Sequence, residues 1–218
     1  MGIKLYAVDL SPPVRAALMG FEIFNVPYEK IDVNLAAGEH KTPEYLKINP
    51  LHSIPVMVDD DFILHDSHAI LAYLADTYGK DDSWYPKDTK KRALVNQKLF
   101  FDTSILFPRL RNVTYPIIIE GKKTIEQKLL DDIDEAYGFF EEFLNRTTYL
   151  AADHVTIADV GALGNMTTLE FLLPVDAKKY PKITAWLTNL KKTPYCIKQN
   201  ESGAAMLDVI IKNSVSPS

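Results

Sequence analysis

The sequence predicts a small α/β domain followed by an all-helical domain. Strand-like runs alternate with helical segments only in the first part of the chain. After the polar stretch GKDDSWYPKD the strand signals end, and apolar residues recur at helical spacing. We therefore place the α/β domain at residues 1–79, a linker at residues 80–88 and the helical domain at residues 89–218.

The predicted order of elements in the first domain is β-α-β-α-β-β-α. IKLYAV and YEKIDVN are typical of strands, and residues 13–25 between them carry apolar side chains at helical spacing. EYLKIN is a short helix, PVMVDDDFILHD is a hairpin around an acidic turn, and SHAILAYLADTYG is a closing helix that ends at Gly79. Strands joined through a helix are parallel and a hairpin is antiparallel, so the sheet is expected to be mixed.

Four helical segments are predicted in the second domain, and residues 124–145 fit an apolar stripe. They are residues 89–107, residues 124–145, a segment that begins with the capping-box-like TIAD at residues 156–159, and residues 182–191. In the first segment the apolar set is Ala93, Leu94, Val95, Leu99 and Phe100.

Composition excludes several classes of partner. Hydrophobic residues make up 47% of the chain, enough for a substantial core, and the formal net charge is -5. Basic and acidic residues are mixed, so we expect no nucleic acid partner. We expect no membrane span and no secretory signal, because no apolar run is long enough. Cys196 is the only cysteine, which suits a reducing compartment, and we expect a cytoplasmic protein.

Ser11 stands at the junction between the first strand and the first helix, in the stretch DLSPPVRAAL. It is either an ordinary helix cap, with Pro12 at the first helical position, or a hydroxyl held for chemistry. In the second case an anion would lie at the helix N-terminus, and the hydroxyl would donate to a bound thiolate. No G-x-S-x-G elbow surrounds Ser11, so it is a poor candidate for a hydrolase nucleophile.

Pro55 lies in NPLHSIPVMV, just before a strand expected to pair with the first one. The peptide bond before it is either cis, which would turn the backbone of Ile54 outward, or Pro55 simply starts an edge strand. With the Ile54 backbone exposed, an extended peptide could add to it in antiparallel fashion.

Asp66 and Ser67 occupy the N-cap region of the closing helix of the first domain. Capping alone explains both residues. The alternative is ligand capture, in which Ser67 and the helix N-terminus bind a carboxylate and Asp66 pairs with an adjacent ammonium. One α-amino acid group carries both charges, so a single ligand satisfies both residues.

His40, His52 and His68 fall within a short stretch and raise the question of zinc. Their spacing matches no standard metal pattern and no cysteine accompanies them, so we expect no metal. Donors to the carboxylate of an anionic ligand fit these histidines better.

Several stretches together resemble the cytosolic glutathione S-transferases, and among them the insect epsilon class, with the delta class as nearest neighbour. They are LSPPVRA, VNLAAGEHKTPEYLKINPLHSIPVMVDD, DSHAILAYLADTYGKDDSWYPKD, KRALVNQKLFFD, TYLAADHVTIADV and YPKITAWLTNLKKTPYC. The resemblance implies a thioredoxin-like domain that binds glutathione as co-substrate, followed by a helical domain.

The resemblance also implies residue roles. By position, the glutathione contacts are Ser11 at the thiol, Ile54 and Pro55 at the cysteinyl backbone, Asp66, Ser67 and His68 at the γ-glutamyl end, and His40 and His52 at the glycyl end. Many delta enzymes have Glu-Ser-Arg where this chain has Asp66-Ser67-His68, and aspartate is one methylene shorter.

An electrophile pocket is expected between the domains, lined mostly by apolar side chains. The candidates by position are Leu10, Pro13, Leu35, Phe107, Leu110, Arg111, Tyr115, Ile118, Ile119 and Met206. The resemblance predicts conjugation of hydrophobic electrophiles, with halide elimination or peroxide reduction as variants. The alternative is a non-catalytic carrier of hydrophobic ligands.

The family resemblance also implies a homodimer, formed through ILAYLADTYG and KRALVNQKLFF.

Overall fold

The computed structural model describes residues 2–215. A four-stranded sheet in the order β2-β1-β3-β4 forms the centre of the first part of the chain. Its strands are β1 (Ile3–Ala7), β2 (Tyr28–Asp32), β3 (Val56–Asp59) and β4 (Phe62–His65). β1 pairs parallel with β2 and antiparallel with β3, and β3 pairs antiparallel with β4. The predicted mixed sheet is therefore confirmed.

Helices connect and follow these strands. They are α1 (Pro12–Ile23), α2 (Pro43–Ile48), α3 (Ser67–Tyr78), α4 (Thr89–Phe101), α5 (Phe107–Ile118), α6 (Gln127–Leu144), α7 (Ile157–Leu172), α8 (Pro181–Leu190), α9 (Pro194–Gln199) and α10 (Glu201–Ser214). The order β-α-β-α-β-β-α and the all-helical second part are confirmed. Within residues 2–215, no helix has both the length and the apolar character needed to cross a membrane.

The two hydrophobic cores meet at α1. Leu5 of β1, Phe21 of α1 and Ile70 of α3 pack in the core beside the sheet. Ala16 and Met19, on the other side of α1, belong to the core of the helical part. Because α1 serves both cores, its N-terminal end is held by both parts of the chain.

The segment predicted as one helix over residues 89–107 differs in two respects. α4 passes through a π-helical turn, Asp102–Leu106, into α5. Val95 and Leu99 are buried as expected, but Leu94 is 49% exposed and Phe100 is 69% exposed; Ala93 is exposed as well. The five apolar residues therefore lie on two faces of the helix, and only one of these faces packs inward.

The capping box predicted at TIAD is confirmed. The side chains of Thr156 and Asp159 form the reciprocal pair at the start of α7. Asp159 is fully buried and also accepts hydrogen bonds from Leu150 N and from Trp186 Nε1, each at 2.9 Å. One carboxylate thus joins α7, α8 and the loop before α7.

Candidate active site

Ser11 lies at the N-terminus of α1 in extended backbone (φ -76°, ψ 120°). Its N–H donates to Val8 O at 3.0 Å, but its hydroxyl makes no capping hydrogen bond. Pro12 and Pro13 occupy the first helical positions and have no N–H to offer. The interpretation of Ser11 as an ordinary side-chain cap is therefore wrong, because its hydroxyl makes no hydrogen bond to the first turn of α1.

The peptide bond between Ile54 and Pro55 is cis. β3, which begins directly after Pro55, lies between β1 and β4, so the alternative of an edge strand is wrong. The preceding loop is bound to α2 and to the residue after it, because Tyr45 Oη and Asn49 Nδ2 both donate to Ser53 O, at 2.8 Å and 3.0 Å. These hydrogen bonds fix the backbone of Ser53, and with it the position of Ile54.

Asp66 is the N-cap of α3. Its Oδ1 accepts from His68 N at 2.8 Å and from Ala69 N at 3.2 Å, so the capping interpretation is confirmed. Its backbone has φ +77°, a conformation that costs a non-glycine residue about 1–3 kcal/mol and that clusters at ligand sites. Ser67, the first residue of the helix, is buried beside it.

His40 and His52 come together on the other side of the cis-proline loop, with ring centroids 6.2 Å apart. Burial, followed by the nearby Lys41 and His52, lowers the pKa of His40 below its ordinary value. His40 Nδ1 is buried and has no hydrogen-bond partner among the described residues. Within residues 2–215, no group of three or more His, Cys, Asp or Glu side chains is arranged to hold a metal ion.

His68 is turned away from the other two histidines and into the contact between α3 and the helical part. Its Nε2 is 2.8 Å from Asp102 Oδ2, and its Nδ1 is 2.8 Å from Thr103 Oγ1. Asn165 donates to both oxygens of Asp102. A Cβ at Gly161 of α7 would lie 2.9 Å from the His68 ring, so glycine makes room for it. Protein groups engage both ring nitrogens of His68, and its ring anchors the start of α3.

A pH-dependent stability is expected from this anchor. Burial alone would lower the pKa of His68, but the hydrogen bond to Asp102 and the charges of Asp102 and Asp66 raise it overall. A raised folded-state pKa gives stability that is complete below the unfolded value of about 6.5 and is lost as the pH rises through the folded value. His68→Gln should therefore lower the free energy of unfolding by about 1–2 kcal/mol at pH of about 5.5. The loss should be smaller at pH of about 8.5. Urea titrations at the two pH values measure both.

His154→Gln is the matched control, since His154 is exposed and its Nε2 lies 3.0 Å from the neutral backbone oxygen of Ser83. Its loss of stability should be smaller than that of His68→Gln at pH of about 5.5, because an exposed hydrogen bond contributes less. Equal destabilisation by His68→Gln at both pH values would contradict the charged pair with Asp102.

The predicted electrophile contacts lie mostly on exposed surface. Phe107, Arg111 and Tyr115 are spaced by four residues along one face of α5, and the Arg111 guanidinium stacks on the Tyr115 ring at 4.4 Å. The exposed apolar members are Leu35, Tyr115, Ile118, Ile119 and Met206. Leu10 and Pro13, on either side of Ser11, are half-buried.

Leu110 does not join this set. It is 1% exposed and packs in the helical core with Leu106, Val113 and Ile117, which share the inner face of α5 and the turn before it. A cleft of about 430 Å³ beside α5 is lined by Arg111 and Tyr115 but by none of the other candidates. Its burial in the core separates Leu110 from the exposed electrophile candidates.

Residues 1–76 match the family model for the glutathione S-transferase N-terminal domain, and residues 86–194 match the model for the C-terminal domain. The chain belongs to the glutathione S-transferase family. This transferase is 40% identical to glutathione S-transferase 1 of Manduca sexta over 218 residues, which is 99% of this chain and 100% of the relative.

Solved structures agree with this assignment. An epsilon-class glutathione S-transferase from the housefly, Musca domestica, superposes with a TM-score of 0.96 at 43% identity, covering 99% of this transferase and 100% of that chain. A glutathione transferase homologue from Drosophila mojavensis, with bound glutathione, superposes with a TM-score of 0.95 at 41% identity, covering 98% of each chain. The predicted resemblance and fold are confirmed.

Sequence reasoning missed Arg15, Asp102 and Asn165. Asp102 and Asn165 carried a usable signal, because each is a polar residue within an apolar helical stretch. Arg15 carried none, since a charged residue in the first turns of a helix usually faces solvent.

Proposed function

We propose that this transferase binds glutathione with its sulfur at Ser11, whose hydroxyl stabilises the thiolate that attacks hydrophobic electrophiles. The observation that carries the proposal is the Ser11 hydroxyl itself, which stands at the N-terminus of α1 and makes no hydrogen bond to that helix. A hydroxyl donating to a thiolate favours ionisation of the thiol, as hydrogen bonding to a charged form does in general. The thiol proton leaves to solvent.

The remaining polar groups fit the two ends of the peptide. Both capping bonds of Asp66 use Oδ1, which leaves Oδ2 to pair with the γ-glutamyl ammonium. Ser67 and the N-terminus of α3 suit the adjacent carboxylate. At the other end, the buried unpartnered Nδ1 of His40 and the neighbouring His52 suit the glycyl carboxylate.

The backbone of Ile54, beside cis-Pro55, suits the cysteinyl unit. His68 supports the γ-glutamyl subsite indirectly, by holding the start of α3 through Asp102. The exposed apolar side chains of α5 and α10, together with Leu10, Pro13 and Leu35, suit an apolar electrophile.

The proposed domains are residues 1–79 and residues 89–218, with residues 80–88 as the linker. The proposed location is the cytoplasm, which suits the free thiol of Cys196.

The experiment measures conjugation of glutathione to 1-chloro-2,4-dinitrobenzene, alongside retention on immobilised glutathione. In the reaction the sulfur bonds to the ring carbon and chloride leaves with the bonding electron pair. Turnover together with retention supports the proposal. Retention without turnover across a panel of electrophiles supports the non-catalytic carrier instead.

We also propose that the protein forms a homodimer through α3 and α4. Tyr78, Leu94 and Phe100 are exposed, and Phe100 is the most exposed large apolar side chain among the described residues. Exposed apolar side chains on neighbouring helices are typical of a surface that another protein covers. Two copies related by a two-fold axis would cover it reciprocally.

Phe100→Glu is expected to convert the dimer to a monomer, because it places two like charges in a surface that would lose water on association. Sedimentation velocity measures the change directly. Ile197→Glu is the matched control, since Ile197 is an exposed apolar residue on a different helix, α9. A parent protein that sediments as a monomer would contradict the proposed dimer.

A further inference from the structure

Arg15 is a cation with an exposed fraction of 0% that lies one helical turn after Ser11. All of its hydrogen-bond acceptors among the described residues are neutral. Nη1 donates to the carbonyl oxygen of Leu10 at 2.8 Å and to that of Asp9 at 3.5 Å. These two carbonyls belong to the turn that leads directly into Ser11.

The rest of the guanidinium is bound to the helical part of the chain. Nη2 donates to Gly164 O at 3.0 Å and to Thr168 Oγ1 at 2.6 Å, both on α7. Nε donates to Oδ1 of Asn200, just before α10, at 2.8 Å. A planar fork of this kind, unlike the point charge of a lysine, spans several acceptors at once.

Two glycines bring the helices against the same turn. A Cβ at Gly164 of α7 would lie 2.5 Å from Pro12 O, and a Cβ at Gly203 of α10 would lie 2.2 Å from Asp9 O. Both distances are shorter than any ordinary contact, so neither position accepts a larger residue without moving the turn. α7, α10 and the side chain of Arg15 therefore all pack against the half-exposed Ser11 turn.

The guanidinium stays charged at neutral pH. Burial, its largest influence, lowers the pKa of Arg15 to about 10, while Cys196 and Asp9 act to raise it. Neither of these groups neutralises it. Burial raises the pKa of the Cys196 thiol to about 11, and the Asp9 carboxylate pairs with Lys30 at 2.7 Å.

We propose that Arg15 is a positioning residue for the thiol-activating hydroxyl: it fixes the Asp9 and Leu10 carbonyls, and with them Ser11, against α7 and α10. This inference rests on the proposed function of Ser11. A buried cation is costly unless its hydrogen bonds are satisfied, and here they are satisfied by the turn together with α7 and Asn200. Small displacements of a reacting group lower the rate by large factors, so a shift of the Ser11 turn should slow the reaction.

The test is a double-mutant cycle on Arg15→Lys and Ser11→Ala. Lysine keeps the charge and loses the fork. In the parent background, Arg15→Lys should lower kcat/KM for 1-chloro-2,4-dinitrobenzene by about tenfold at neutral pH and move the acidic limb of its pH profile up by about one unit. In the Ser11→Ala background it should change kcat/KM by less than about twofold, because no hydroxyl is left to position.

Gly203→Ala approaches the same turn from α10 and keeps the guanidinium, although its Cβ would also lie 3.0 Å from Arg15 Cδ. It decides the matter alone if Arg15→Lys does not fold. It should move the acidic limb in the same direction. Gly138→Ala is the matched control, because Gly138 is a helical glycine with no atom within 4 Å of an added Cβ. Its profile should coincide with that of the parent.

Two results would overturn the positioning role. One is an unchanged acidic limb in Arg15→Lys and Gly203→Ala while Ser11→Ala shifts it, which leaves the role of Ser11 standing. The other is an equal loss of rate from Arg15→Lys in both backgrounds, which makes its effect independent of Ser11. An unchanged limb in Ser11→Ala contradicts the proposed function itself, and Arg15 then has no hydroxyl to position.

Discussion

Ser11→Ala is expected to lower kcat/KM for glutathione conjugation by about 10- to 100-fold at neutral pH. A hydrogen bond to a charged group contributes about 1.5–3 kcal/mol, which corresponds to about one to two pKa units of the bound thiol. The acidic limb of the pH–rate profile should therefore move up by that amount. At pH values above the new limb the thiol is ionised in both proteins, and their rates should converge.

The Michaelis constant for glutathione is expected to change much less, because the proposed contacts at the two ends of the peptide do not include Ser11. Ser83→Ala provides the matched control, since Ser83 is an exposed serine in the segment before α4. A Ser11→Ala profile identical to that of the parent would falsify the proposed role of the hydroxyl.

Asp159→Ala is expected to cause the largest loss of stability, about 3–6 kcal/mol in the free energy of unfolding. Its carboxylate accepts from Thr156 N at 2.9 Å in addition to Leu150 N and Trp186 Nε1. Each of these three N–H donors left unsatisfied in the interior costs about 1–3 kcal/mol, so their combined loss is at least about 3 kcal/mol. Such a loss is a large part of the 5–15 kcal/mol that typically separates folded from unfolded states.

Urea unfolding followed by tryptophan fluorescence measures this loss, since Trp186 is itself a partner of Asp159. Asp153→Ala is the control. Asp153 lies in the same loop and accepts from Thr148 N and Oγ1, but it is exposed, so its loss should cost well under half as much. Similar midpoints for the two variants would contradict the assignment of Asp159 as the buried junction of α7 and α8.

The elements near the proposed site were largely predictable from local pattern. The alternation of strands and helices, the start of α1 at Ser11-Pro12 and the cap at Asp66 are all written in a few consecutive residues. The capping box at Thr156 and Asp159 is equally local. Patterns of this kind depend on backbone groups within one turn, so they can be predicted without knowing the tertiary contacts.

Faces of helices were predicted less well. Periodicity identifies apolar residues on a helix but does not say which neighbour covers them. Phe100 fits the apolar periodicity of α4 and is exposed, whereas Leu110 is a predicted electrophile contact and is buried in the core. The π-helical turn Asp102–Leu106 interrupts the α-helical period between α4 and α5, and no residue pattern in the sequence predicted it.

The family, the order of elements and the position of Ser11 at a helix start can all be predicted from the sequence. The contact of His68 with Asp102 and the burial of Arg15 under the Ser11 turn are visible only in the folded protein. Both have one cause. A polar side chain takes its role from acceptors that are far away in sequence, and folding alone brings those acceptors within hydrogen-bond distance.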